Sequence, residues 1–155
     1  MSLEDEVALL RSAPLFAEVA TAQLKLLAFA SDRQQYAAGS TLCVAGESGH
    51  ECWLLLDGEV EIEIPDGAGT RSLGTRGRGT VIGETAVLCR LPRTATVRAV
   101  SDTDTLCIRG ETFTELLRGS PDMCLKVIEQ LGQYLYRQSQ QPGNHPEPPS
   151  EGTAA

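Results

Sequence analysis

The stretch GETAVLCRLPRTATV, residues 83–97, concentrates the chemistry of this chain. It opens on Gly83, where the backbone can approach a ligand closely because no side chain intervenes. Glu84 then starts ETAVLCR, a run long enough for one or two turns of helix. A helix N-terminus offers unpaired backbone N–H groups and a partial positive charge, and both suit a phosphate. LPRTATV returns to extended structure, with Pro92 fixing the backbone just ahead of Arg93. A guanidinium is planar, permanently charged and bidentate, so it fits phosphate oxygens better than an ammonium does. Glu84 is a poor partner for phosphate and a good acceptor for a sugar hydroxyl. A small organic ligand with one phosphate and a nearby ribose hydroxyl would satisfy both. Each residue also has a plainer reading: Arg93 as a solvated arginine, Glu84 as a helix-start acid, Thr94 as an ordinary strand residue.

The rest of the chain gives Arg93 no help from long-range charge. Asp and Glu total 21 against 13 Lys and Arg, a formal net charge of −8. That balance argues against a nucleic-acid or anionic-membrane surface, since both need clustered cations. An anion must therefore be captured locally. A hydrophobic fraction of 41% with 22% charged residues is ordinary for a globular chain, and 155 residues suit one domain with tails. No apolar run reaches the ~20 residues of a membrane span, and the start MSLEDEVALLR lacks the basic, apolar pattern of a signal peptide. Cys43, Cys52, Cys89, Cys107 and Cys124 show no C-x-x-C pairing and read as buried thiols in a reducing cytoplasm. His50 and His145 are isolated, so no metal centre is expected.

The elements that must position the segment follow from periodicity. Residues 3–12 and a run from Thr21, expected as an N-cap, read as two helices broken by Pro14, the second burying Leu24, Leu27 and Ala28 with Leu26 and Phe29 alongside. From Gln34 to Ile108 short strands alternate with glycines. ECWLLLDGEVEIEI reads as a hairpin turning at Asp57-Gly58, and Val60, Ile62 and Ile64 alternate with glutamates on a strand with one wet face. Arg76 and Arg78 in GTRGRG read as a solvated turn. Helix returns in ETFTELLRG and in SPDMCLKVIEQLGQYLYR, where Ser120 caps and Cys124, Val127, Ile128, Leu131 and Leu135 form one buried face. Beyond Arg137 the chain carries half of its eight prolines, and residues 139–155 read as a disordered tail.

With its flanks in place, the segment resembles the phosphate-binding cassette of cyclic nucleotide-binding domains. That family includes regulatory subunits of cyclic-AMP-dependent kinase, cyclic-nucleotide-gated channels and bacterial catabolite activators. Its pattern of Phe-Gly-Glu-x-Ala-Leu, a few residues, then Arg-(Ala/Ser/Thr)-Ala-Thr-Val is matched here by IGETAVL, CRLP and RTATV. The resemblance covers residues 14–137, from PLFAEVATAQLKLLAFA through AAGSTLCVAGESG and LLLDGEVEI to the last helix. It implies an α+β fold: an antiparallel β jelly-roll barrel with N-terminal helices, a short phosphate-cassette helix and a C-terminal lid helix. The implied domain is 1–138, with helices over about 3–30, barrel over about 33–109 and lid helices over about 110–138.

The implied ligand is cyclic AMP or cyclic GMP, bound by Ile82, Gly83, Glu84, Thr85, Ala86, Arg93, Thr94 and Ala95. Arg93 would pair with the cyclic phosphate and Glu84 would accept from the ribose 2′-hydroxyl. Backbone amides near Gly83, Thr85, Ala86 and Ala95 would line phosphate and sugar, and Thr94 stands where relatives contact the base. Tyr134, Tyr136 and Arg137 are the candidates to cover the base from the lid. Ile82 replaces the usual aromatic and Thr85 a usual apolar residue, departures that bear on affinity.

The expected function is a non-enzymatic regulatory sensor whose ligand moves the last helix; the alternative is a ligand-free scaffold of the same fold. No helix-turn-helix, kinase, channel or cyclase segment follows the lid. The expected effector therefore acts in trans or belongs to a longer chain. Relatives often dimerise, so a homodimer is one expected assembly. A jelly-roll metalloenzyme would need clustered histidines and carboxylates in the barrel, which the sequence does not supply.

Overall fold

Ser2 and Asp5 begin the structure by capping each other. The Ser2 hydroxyl accepts from the Asp5 amide at 3.2 Å, and the Asp5 carboxylate accepts from the Ser2 amide at 3.0 Å. This starts α1 (Leu3–Ser12), which buries Val7 and Leu10 and ends before Pro14. A short 3-10 turn, Pro14–Phe16, then leads to α2 (Thr21–Phe29). The computed structural model describes residues 1–140; the tail expected over 139–155 lies outside the described residues from position 141 onward. The cap of α2 differs from expectation. Ala20 holds the N-cap position, and the Thr21 hydroxyl, already inside the helix, accepts from Arg11 at 2.6 Å. Leu24, Leu27 and Ala28 are buried as expected, whereas Leu26 and Phe29 point outward and are exposed.

Eight strands form two antiparallel four-stranded sheets, the jelly-roll architecture that the sequence implies. One sheet runs β1 (Asp32–Tyr36), β8 (Thr103–Arg109), β3 (Glu51–Asp57), β6 (Val81–Ile82). The other runs β2 (Thr41–Cys43), β7 (Thr96–Ala99), β4 (Val60–Asp66), β5 (Gly69–Arg76). The apolar run in β3 is buried on both faces. Cys52, Leu54 and Leu56 meet the helices, while Trp53 and Leu55 enter the barrel with Val60, Ile82, Val97 and Cys107. α1 is also pinned to the barrel through charge. Arg33 on β1 donates through Nε to the buried Glu6 carboxylate at 2.7 Å.

Asp57-Gly58 does not make the expected hairpin. β3 and β4 belong to different sheets, so the dipeptide is where the chain crosses between them. Only Gly58 takes positive φ, at +87°, whereas the tight hairpin turn requires it of both residues. The crossing passes close to other backbone: a Cβ at Gly58 would lie 2.5 Å from the Asp102 carbonyl oxygen and 2.7 Å from Thr103 Cα.

After the barrel, α4 (Gly110–Gly119) and α5 (Pro121–Ser139) return to the N-terminal helices. Phe113 of α4 meets Phe16 edge-on with centroids 5.5 Å apart. Ser120 caps α5 as expected, its hydroxyl accepting from the Met123 amide at 3.3 Å. The buried face of α5 is rotated from the expected one: Met123 and Val127 are buried, but Ile128 and Leu135 are 58% and 67% exposed. Helical spacing alone defined a wider apolar face than the neighbours cover. The cysteines also divide. Cys52 and Cys107 are buried, Cys43 and Cys124 half-buried, and Cys89 exposed.

Gly58→Ala should lower unfolding stability by about 2 kcal/mol or more, since it adds strain at positive φ to a close backbone contact. Urea denaturation of the two proteins checks this, and an unchanged midpoint would show that the crossing tolerates a side chain.

Candidate functional site

The cassette helix α3 (Glu84–Cys89) starts from Gly83 in the left-handed region, at φ +86°. The glycine is required there for space as well. A Cβ at Gly83 would collide with Arg93 Nη1 and stand 3.3 Å from Trp53 Cζ3. Arg93 itself is 6% exposed. Its backbone is fixed to the facing loop, with the Arg93 amide donating to the Glu47 carbonyl and its carbonyl accepting from the Gly46 amide, both at 2.8 Å. Its guanidinium donates through Nη1 to the Gly83 carbonyl at 3.1 Å and through Nη2 to the Glu51 carbonyl at 2.5 Å. Cζ lies 4.9 Å from the centroid of Trp53, a cation–π placement. Gly49 closes the other side: a Cβ there would be 2.9 Å from Arg93 Cζ and 2.6 Å from Ala86 Cβ.

Arg93 is therefore a buried cation held by carbonyls. The ion pairs among the described residues involve Arg33, Arg98 and Lys126, not Arg93. A buried charge without a counter-charge is costly, and an anion beside it removes much of that cost. Glu84, half-buried at the start of α3, has its carboxyl pushed up from the usual range by burial.

All eight sequence-derived positions line one cavity of about 250 Å³: Ile82, Gly83, Glu84, Thr85, Ala86, Arg93, Thr94 and Ala95. Its opposite wall is the apolar inner face of the second sheet, with Ile62, Ile64, Leu73 and Val97. Tyr134 of α5 reaches the cavity, whereas Tyr136 is exposed away from it. Arg137 lines a neighbouring cavity of about 240 Å³ between Pro14–Leu15, Gly79–Val81 and α5. Glu84, Val81 and Tyr134 are common to both cavities. Arg76 and Arg78 are both exposed, as expected of a solvated stretch, with Arg76 ending β5 and Arg78 in the turn after it. Arg76 lines the ligand-sized cavity, and Arg78 donates to the Leu56 carbonyl at 2.9 Å. Nothing in the local composition of GTRGRG distinguishes these two roles, which depend on strand pairing.

A sequence model described as "Cyclic nucleotide-binding domain" matches residues 33–120, more than half of the chain. The chain belongs to the cyclic nucleotide-binding domain family. Among curated relatives, a "cAMP-dependent protein kinase regulatory subunit" of Mycosarcoma maydis is 30% identical over 106 residues, covering 68% of this chain and 20% of that protein. Among solved structures, the catabolite activator protein of Thermus thermophilus superposes with a TM-score of 0.72 at 27% identity, covering 80% of this chain and 59% of that one. The regulatory domain of Toxoplasma gondii PKA, crystallised with cAMP, shares the fold with a TM-score of 0.74 at 18% identity, covering 87% of this chain and 50% of that one. This chain thus spans less than two thirds of the length of each of these relatives.

Because burial raises the Glu84 pKa above its unfolded value, the folded state binds that proton more tightly than the unfolded chain does. Ionisation at neutral pH then works against folding. Glu84→Gln should raise the thermal midpoint of the unliganded protein at pH 7, and the gain should vanish below pH ~4, where the carboxyl is protonated in both states. Thermal melts across that range check the sign; a gain that grows on acidification would contradict it.

Proposed function

We propose that this chain is a regulatory module that binds a cyclic nucleotide monophosphate in the cavity between α3 and the second sheet. The observation that carries the reading is the buried guanidinium of Arg93, without a carboxylate partner among the described residues and next to the N-terminus of α3. Arg93 pairs with the cyclic phosphate, aided by backbone amides around Gly83, Thr85, Ala86 and Ala95. Glu84 accepts from the ribose 2′-hydroxyl, Thr94 lies at the edge of the base, and Tyr134 covers the base from α5. Ile82 packs behind the cassette.

Glu84, Val81 and Tyr134 stand between the ligand cavity and the cavity under α5, which supports a coupling of occupancy to α5 position. The ligand shifts α5 only by the difference in its affinity for the two placements. Residues 1–138 act as one module in this reading, without enzymatic activity of their own. The regulated effector is a protein partner in trans or another part of a longer polypeptide. The unpaired state of all five cysteines suits a reducing, cytoplasmic setting. No helix among the described residues is long and apolar enough to cross a membrane.

Calorimetric titration with cyclic AMP and cyclic GMP tests the reading. Arg93→Ala should weaken binding by about 3 kcal/mol, roughly a hundredfold or more, through loss of two charge-assisted hydrogen bonds. Because Arg93 also holds two carbonyls, Arg93→Lys provides a second variant that keeps the charge. It should bind more weakly than wild type and more tightly than the alanine variant. Wild-type affinity in both variants would remove Arg93 from the site. No heat from a folded wild-type sample would favour the ligand-free scaffold.

A further inference from the structure

We infer that Trp53 is a positioning residue for anion capture: its indole face holds the Arg93 guanidinium where a carboxylate otherwise would, and so leaves the positive charge available to a phosphate. This rests on the cyclic-nucleotide reading above and adds how that site is kept both oriented and charged.

Trp53 is fixed on several sides. Its strand, β3, pairs with β8 and with β6, and Trp53 itself lies opposite Cys107 on one and Ile82 on the other. Ile82 immediately precedes Gly83, so this register sets the indole beside the start of the cassette. The side chain is 1% exposed and lies inside the barrel. Its Nε1–H donates to the Tyr36 hydroxyl at 3.1 Å, and that hydroxyl donates to Gln34 Oε1 at 2.8 Å. With its own proton given to Gln34, the Tyr36 oxygen is left as an acceptor. The indole cannot turn without stranding a buried N–H. Gly83 leaves room for the other end of the ring, at Cζ3.

The carbonyls of Gly83 and Glu51 hold two nitrogens of the Arg93 guanidinium, and the ring face restrains the plane in which they lie. An aromatic face attracts a cation through its quadrupole while carrying no net charge. A carboxylate in its place would also hold the guanidinium, but it would neutralise the cation and repel an incoming phosphate. An aliphatic side chain would fill the barrel and give the cation nothing. Among the described residues, Arg93 has no carboxylate within ion-pair distance. Trp53 is not among the residues that line the cavity beside α3, so it acts through Arg93.

The test is calorimetric titration of the full chain with cyclic AMP and cyclic GMP, for wild type, Trp53→Phe, Trp53→Leu and Tyr36→Phe, each shown by urea denaturation to be folded under the conditions used. Trp53→Leu should weaken the nucleotide that binds by about tenfold, whereas Trp53→Phe, which keeps a ring face, should stay within about threefold of wild type. Tyr36→Phe, which touches neither Arg93 nor the cavity, should cost about threefold by freeing the indole. Trp53 is the one tryptophan of the chain, so its emission should shift as a phosphate meets the cation beside it. Equal losses in the leucine and phenylalanine variants would make Trp53 a volume-filling core residue and overturn the inference. Wild-type affinity in a folded Trp53→Leu, or emission unmoved at saturating nucleotide, would overturn it too. If both Trp53 variants fail to fold, Tyr36→Phe decides, and an unchanged affinity there overturns the inference while leaving the nucleotide site standing. A folded wild type that binds neither ligand would remove the nucleotide reading itself, and the positioning role with it.

Discussion

The structure around the site depends on enclosing one guanidinium. Arg93 lies against Trp53 and donates to carbonyls at the ends of two elements, Gly83 before α3 and Glu51 at the start of β3. Two glycines, Gly83 and Gly49, leave the volume it occupies. Enclosure of a permanent charge fixes the neighbouring backbone because each misplaced carbonyl would leave a buried N–H unpaired. The cassette helix and the start of β3 are therefore positioned by the same side chain, and the facing loop at 46–49 by the backbone of the same residue. This explains why a short α3 of six residues can have a defined place.

β3 passes that order to the rest of the fold. Trp53 supports Arg93 from inside the barrel, while Cys52, Leu54 and Leu56 on the other face pack into the helical cluster. The helices thus share a strand with the site even though they lie outside the barrel. A second connection runs through Glu84, Val81 and Tyr134, between the cavity beside α3 and the space under α5. α5 is only partly committed to the core. Met123 and Val127 anchor its first half, whereas Leu135 and Tyr136 in its second half are exposed.

What could be read from the sequence was what is local. The cassette segment was legible because its residues lie close together in sequence and its backbone follows local signals, and the Ser120 cap was legible for the same reason. What could not be read is set by pairing across distance. Asp57-Gly58 has the composition of a hairpin, but the partners of β3 and β4 lie far away in sequence and draw the strands into different sheets. The exposure of Arg76 and Arg78 was legible, but the bond from Arg78 to the Leu56 carbonyl has no signature in GTRGRG. The buried face of α5 was mis-set in the same way. Helical spacing names every apolar position that could face inward, and only the helices packed beside it decide which ones do.

The acidic surface and the cationic site fit together through the same logic. A net charge of −8 cannot attract an anion over distance, so the proposed capture depends on what happens within a few ångströms of Arg93. A guanidinium has five N–H donors, and two of them are used to hold it against Gly83 and Glu51. The remaining three are kept in a fixed orientation before any ligand arrives. A flexible surface arginine would have to give up its rotamer freedom on binding, whereas Arg93 has already lost it in folding. The cost of ordering this guanidinium thus falls on the stability of the barrel, and the packing of Trp53 and the two glycines is what offsets it.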